Sequence, residues 1–276
     1  MAKPWKAPLR LYLTGPLVAE LGDRRVDERR LPGRQGRRAL AYLALERERP
    51  VPIDELADAV WGTGSPAGAW QTALSAIVSK LRAWLRGVDP RCTIPTGAGC
   101  YRLGLSQDAW VDVEAARRAL DEAEGHVRAD RPKAAWGPAN VAVSIAARPF
   151  LAGVDAEWIV RTRDALRAVR VRGLECVAAA AAANGEYPLA AQLAREVVTL
   201  EPFRETGWRR LILALADGGN RAEALRAYAQ CKKLLADELD VTPARETEAI
   251  VRGLRGAAEP ARRPAATRRP SSRTVR

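Results

Sequence analysis

Between residues 70 and 86 apolar side chains return with a helical period. Leu74, Ile77, Val78, Leu81 and Leu85 fall at i, i+3, i+4, i+7 and i+11, one stripe on a helix that turns about 100° per residue. The pattern predicts a helix over 67–86 with that stripe in a core. Upstream, VPIDELADAVWG predicts another helix, bounded before by Pro50 and Pro52 and burying Ile53, Leu56 and Val60. Asp54 and Glu55 place negative charge in its first turn, where the free N–H groups point. Trp61-Gly62 ends it, with glycine able to take the left-handed conformation. Residues 34–47 predict a third helix with Leu40, Leu43 and Ala44 on one side. Before it, LRLYLTGPLV (9–18) and RRVDERRL (24–31) flank a Leu-Gly-Asp turn and predict a short antiparallel sheet. After the long helix, CTIPTGAGCYRL (92–103) predicts a hairpin reversing at its glycines. Tyr101 and Leu103 face inward there and Arg102 outward.

From residue 111 onward the pattern is helical throughout, with helices expected over 112–125, 133–147, 155–184, 187–200, 204–217, 220–237 and 242–254. GEYPLAAQLAREVV, from Gly185, returns as GNRAEALRAYAQCK, from Gly219, 34 residues later. At that offset Ala190, Ala191 and Ala194 align with Ala224, Leu225 and Tyr228. Small residues at such places let paired helices pack closely, as in tetratricopeptide units. Glu201-Pro202 closes one unit, since proline cannot continue a helix. The expected fold is therefore mostly α. A winged helix-turn-helix (α+β) occupies 9–106, an all-α tetratricopeptide-like array 110–256, and a basic tail 257–276 that lacks the apolar residues to fold.

The face of the 67–86 helix opposite its core stripe carries Ala69, Thr72, Ala76, Ser79, Lys80 and Ala83. Two readings of this small, hydroxyl-bearing face stand. Alanine favours helix for its own sake, and a low-relief face with one cation can approach bases and phosphates. Charge bears on the choice. The chain carries +12, with 17 Lys+Arg against 11 Asp+Glu in residues 1–110, 22 against 21 in 111–256 and 6 against 1 in the tail. A basic front and tail around a neutral middle suit a polyanion, although an arginine-rich proteome makes many chains basic. The candidate DNA contacts are Ala69, Thr72, Ala76, Ser79, Lys80 and Arg82 on the helix, with Thr96, Gly97 and Arg102 on the wing. Arg82 lies to one side of the face, where it meets backbone.

Little else suggests chemistry. His126 is the one histidine, which removes histidine triads and His-rich metal sites. Cys92, Cys100, Cys176 and Cys231 lack C-x-x-C spacing, so neither a metal nor a cofactor is expected. Cys92 and Cys100 flank the hairpin tip and could face each other. Gly62-Thr63-Gly64-Ser65-Pro66 is not followed by the Lys-Ser or Lys-Thr of a phosphate loop. No membrane span or secretory signal is visible, and cytoplasmic location with reduced thiols is expected. Trp136, Trp158 and Trp208 could line a pocket in the array or sit in its core. A transcription activator is the first expectation. A protein-interaction adaptor whose winged helix does not read DNA is the second.

LRLYLTGPLV, GRQGRRALAYLAL, VPIDELADAVWG, LSAIVSKLRAWL and CYRL, with LEPFRETGWRRLILALADGGNRAEALRAY and LADELDVTP behind them, resemble the SARP family of AfsR-like activators across residues 9–255. The resemblance implies an OmpR-type winged helix joined to a bacterial transcriptional activator domain. It implies that 67–86 is the recognition helix, 92–103 the wing and 62–68 the loop before recognition. It further implies double-stranded promoter DNA with direct repeats as partner, a homodimer on that DNA, contact with RNA polymerase including its sigma factor, and control of secondary-metabolite (antibiotic) genes. Cys100 replaces the glycine usual before Tyr-Arg, and Asp240 stands where the family ends a helix with Glu-Leu-Gly.

Overall fold

A computed structural model describes residues 7–62 and 68–256. The expected tail and most of the expected 62–68 loop lie outside the described residues. The chain opens with strands β1 (Arg10–Tyr12), β2 (Val18–Leu21) and β3 (Arg24–Asp27), the antiparallel sheet that the alternation predicts. Helix α1 (Gly33–Leu45) follows and buries Leu40, Leu43 and Ala44. Strand β4 (Val51–Pro52) leads directly into α2 (Ile53–Trp61), and α3 spans Trp70–Val88, starting later than expected and running two residues further. The hairpin is β5 (Thr96–Gly97) and β6 (Cys100–Tyr101), joined to β4 in the order β4-β6-β5. Helix, turn, helix and hairpin on one core make a winged helix-turn-helix. Gly62 ends α2 at φ 74° and ψ −163°, so it is not left-handed helical as expected. The positive φ still favours glycine, because the chain turns away extended instead of coiling back.

Strand β7 (Trp110–Val111) pairs parallel with β1, Leu11 opposite Val111. Its two residues show no alternation, so the sequence pattern misses it. Beyond β7 come α4 (Asp112–Arg128), α5 (Trp136–Ala146), α6 (Glu157–Ala183), α7 (Tyr187–Leu200), α8 (Glu205–Asp217), α9 (Arg221–Leu239) and α10 (Arg245–Gly256), close to the predicted ranges. From α4 to α9 each helix packs on the next, and α10 lies on α8 and α9. The 34-residue repeat is a repeat of geometry. Gly185 (φ 79°) and Gly219 (φ 80°) end α6 and α8 with the same turn. In the first copy Glu186 N donates to Ala181 O at 2.9 Å, and in the second Asn220 N donates to Leu215 O at 2.8 Å. Both are the six-to-one bond of a Schellman turn. Ala190, Ala194, Ala224 and Tyr228 are buried where the next helices cross. Asp240 caps α9 in the left-handed region, at φ 54° and ψ 36°.

The core does not stop where the helical array begins. One apolar cluster runs from Leu9 through Leu81, Leu85 and Leu120 to Val169. Polar groups tie the same seam. Asp112, fully buried, accepts from Leu13 N and Thr14 N (2.9 Å each) and from Thr14 Oγ1 (2.6 Å). Arg47, in the turn just beyond α1, grips Glu114 of α4 with two bonds of 2.5 and 2.8 Å. Trp158 of α6 stands edge-on to Tyr42 of α1 and donates its indole N–H to Ala59 O of α2 at 3.0 Å. A second cluster, around Trp208, Ile212, Tyr228 and Cys231, holds α7 to α10.

Candidate nucleic-acid interface

The core stripe of α3 is the predicted one, extended by Trp84 and Val88. Trp84 donates its indole N–H to Asp27 O at 2.9 Å, pinning α3 to β3. This burial on one side forces the opposite face outward. Gln71, Thr72, Ser75, Ala76, Ser79, Lys80, Ala83 and Arg86 are all exposed, as is Ala69 just before the helix. No Asp or Glu occurs among the 19 residues of α3, while Lys80, Arg82 and Arg86 supply three cations. Helix α2 differs, with Asp54, Glu55 and Asp58. Helix α3 therefore presents amide, hydroxyl and cationic groups with nothing to repel a phosphate. Gln71 and Ser75 belong to this face and escape the sequence reading, although their spacing from Thr72, Ser79 and Lys80 carries the signal.

The wing turns at Ala98 (φ 47°) and Gly99 (φ 70°). Two successive positive φ values are what a two-residue type I′ hairpin loop needs. Thr96 and Gly97 oppose Tyr101 and Cys100, and Thr96, Gly97 and Arg102 are exposed. Tyr101 and Leu103 are buried as expected. The register sets Cys100 against Gly97, whereas Cys92 is buried beside the bridge that pairs Thr93 with Gly104. The suggested pairing of Cys92 with Cys100 does not occur, and both are free thiols. Burial pushes the Cys92 thiol up to about 12.

Arg82 is engaged within the chain. Its Nε and Nη2 donate to Ile94 O at 2.8 and 2.6 Å, and Nη2 also donates to Thr96 Oγ1 at 2.8 Å. It fastens the wing to α3. Arg102 reaches back to the carbonyls of Arg47 and Glu48 at 3.3 and 3.4 Å, long contacts on an exposed side chain. Arg91 is bonded to Asp89, and its guanidinium holds that carboxyl below the usual range. Lys80 shares with Arg30 the rim of a hollow of about 280 Å³ floored by Val26 and Trp84. Arg30 comes from the end of the short 3₁₀ turn after β3, 50 residues away in sequence, so no local pattern could bring it beside Lys80.

The three tryptophans do not converge on one pocket. Trp208 is buried with its indole N–H on Pro202 O, Trp158 is in the seam, and Trp136 is partly exposed. Among the described residues no group of three or more His, Cys, Asp and Glu could hold a metal. No described helix is long and apolar enough to cross a membrane.

A winged helix fused to a helical array defines a class of two-part bacterial regulators. The profile described as "Bacterial transcriptional activator domain" matches residues 111–255. The chain belongs to that family, as a SARP/AfsR-like transcriptional regulator. It is 30% identical over 216 residues to the transcriptional regulatory protein EmbR of Mycobacterium tuberculosis, covering 75% of this chain and 54% of that protein. It is 32% identical over 209 residues to the regulatory protein AfsR of Streptomyces coelicolor, covering 76% of this chain and 20% of that one. The regulatory protein DnrI of Streptomyces peucetius is 27% identical, with 85% of this chain and 88% of that protein covered. The chain thus spans about half the length of EmbR and a fifth of AfsR. A solved structure of M. tuberculosis EmbR, in complex with a low-affinity phosphopeptide, superposes with a TM-score of 0.80 at 25% identity. The match covers 90% of this chain and 65% of that one.

Proposed function

We propose that the chain is a sequence-specific DNA-binding activator of transcription. One observation carries the reading. The exposed face of α3 is polar, cationic and free of carboxylates, on a helix clamped from behind by its leucines and Trp84. A clamped helix with such a face fits a major groove, whose base edges take hydrogen bonds from Gln, Ser, Thr and Lys side chains. Lys80 and Thr72 contact the groove or its rim, Ser79 bonds a base or a phosphate, and Ala69 and Ala76 permit close approach. Thr96, Gly97 and Arg102 bring the wing to the backbone, and Arg82 acts by holding the wing in place.

Residues 9–106 make up the DNA-binding domain and 110–256 the activator domain. Two copies sit side by side on direct repeats, and the helical domain recruits RNA polymerase through its sigma factor. The regulated genes are those of antibiotic biosynthesis, and the site of action is the cytoplasm. EmbR, named a transcriptional regulatory protein, and DnrI, named a regulatory protein, support this reading.

Footprinting on promoters adjoining the chain's own gene tests it. The expected result is a pair of protected repeats whose centres lie about 10–10.5 base pairs apart or a multiple of that. Affinity should fall steeply with salt, as released counterions require. Capture of polymerase without any promoter preference would instead favour a protein-interaction adaptor.

A further inference from the structure

We infer that the helical half of the chain carries a binding site for an organic anion with an apolar body. The site is a cleft of about 500 Å³, lined by no residue of α3 or the wing and bounded by the end of α5, the 148–153 segment, α6 and the last turn of α7. That volume is within the usual range for small-molecule sites. Its floor is apolar, with Phe150 and Leu166 both buried. Four guanidiniums stand around the floor, those of Arg148, Arg163, Arg167 and Arg170.

Two of the four are committed to the protein. Arg163 donates to the carbonyls of Phe150, Leu151 and Val154 and to Asp155, which makes it the brace of the wall. Arg167 bonds Leu200 O and pairs with Glu201 at 3.0 Å. The other two have donors to offer. Arg148 is exposed and meets no carboxylate among the described residues. Arg170 pairs with Glu196 through Nη2 at 2.5 Å, yet its Nε–H is buried and meets no acceptor of the chain. A buried donor without an acceptor is unfavourable, and a turn of the side chain toward the cleft offers it to a carboxylate, sulfonate or phosphate ester. Guanidinium donors around an apolar floor select a ligand with a charged head and a hydrocarbon body; a bare inorganic anion would leave the floor uncovered.

Position gives the site a consequence. The segment that lines it also holds the N-terminal sheet, through the bond from Gly15 N to Pro149 O (2.7 Å) and the bridge between Thr14 and Phe150. An occupant therefore braces the seam between the two halves. The inference does not depend on DNA binding, and its test reads binding alone.

The probe is 8-anilinonaphthalene-1-sulfonate, an aromatic body with one sulfonate, titrated by fluorescence into the full chain. Decanoate and inorganic phosphate serve as competitors. The variants are Arg148→Ala, which removes the free head contact, and Ala152→Trp, which fills the cleft from an exposed position. Support is saturable binding at one site per chain, displaced by decanoate and not by phosphate. Each variant should bind at least tenfold more weakly while melting at the wild-type temperature. Either of two results overturns the inference: no saturable binding to the wild type, or wild-type affinity in either variant. Equal displacement by phosphate would overturn the amphipathic character of the ligand.

Discussion

Asp112→Asn is a change of one heavy atom at the seam between the two halves. The carboxylate is fully buried and every group aimed at it is a donor. Oδ1 takes Leu13 N and the N–H of Val113, while Oδ2 takes Thr14 N and Thr14 Oγ1. An asparagine can keep one of these sides. On the other its NH2 group faces the Thr14 N–H, a buried donor left without an acceptor, while the Thr14 hydroxyl turns and accepts from the amide. At about 1–3 kcal/mol for that N–H, and with the charge-assisted strength of the remaining bonds reduced, the loss comes to about 2–4 kcal/mol. Urea unfolding at fixed protein concentration reads it as a lower midpoint. Thr14→Val removes only the hydroxyl and should cost about 1.5–3 kcal/mol, as a hydrogen bond to a charged group does. In Asp112→Asn that hydroxyl has already exchanged a charge-assisted bond for a neutral one, so the double variant should be less destabilised than the sum. A midpoint for Asp112→Asn within about 0.5 kcal/mol of wild type, the scatter of surface substitutions, would refute the view that this carboxylate organises the seam.

Arg82→Ala should free the wing from α3, with loss of protection at the Cys100 and Tyr101 amides in hydrogen exchange by about 2 kcal/mol of local opening energy; unchanged protection would show the anchor to be idle. Asp240→Gly should raise stability by about 1 kcal/mol, because glycine takes the left-handed cap without the Cβ penalty, and a melting curve checks it. Burial pushes the thiols of Cys92, Cys176 and Cys231 up to about 12, 11 and 11. Folded values above the ordinary 9.0 mean a contribution fully present below pH 9 and lost as pH rises through 11 and 12. Stability should fall over that window and recover part of the loss in a Cys231→Ala background. At pH 8 a thiol reagent should label Cys100, which is only partly buried, long before the other three.

The parts of this molecule legible in its sequence are those that a local period specifies. Leu74 to Leu85 mark α3 by spacing alone, and the glycine at 185 and its counterpart at 219 mark a repeat that the backbone reproduces in angle and hydrogen bond. What escapes is whatever distant partners decide. β7 exists because Val111 meets Leu11 and Asp112 meets Thr14. Arg82 looks like a cation for the DNA backbone until the Ile94 carbonyl and the Thr96 hydroxyl come within its reach. Arg30 joins Lys80 through the packing of Trp84 on β3. The failed pairing of Cys92 with Cys100 has the same origin, since flanking a tip says nothing about register. The candidate face is half legible, because small and hydroxyl residues on the exposed side of a helix also suit a helix with no partner.

The claim at the centre is that the exposed face of α3 reads duplex DNA. Fluorescence anisotropy on a footprinted repeat, with wild type, Lys80→Ala and Lys232→Ala at equal salt, tests it most directly. Lys232 is an exposed cation on α9, so its removal changes net charge without touching α3. The account predicts a loss of about 1–3 kcal/mol for Lys80→Ala and almost none for Lys232→Ala. Equal affinities for all three proteins, on a duplex that the wild type protects, would contradict it.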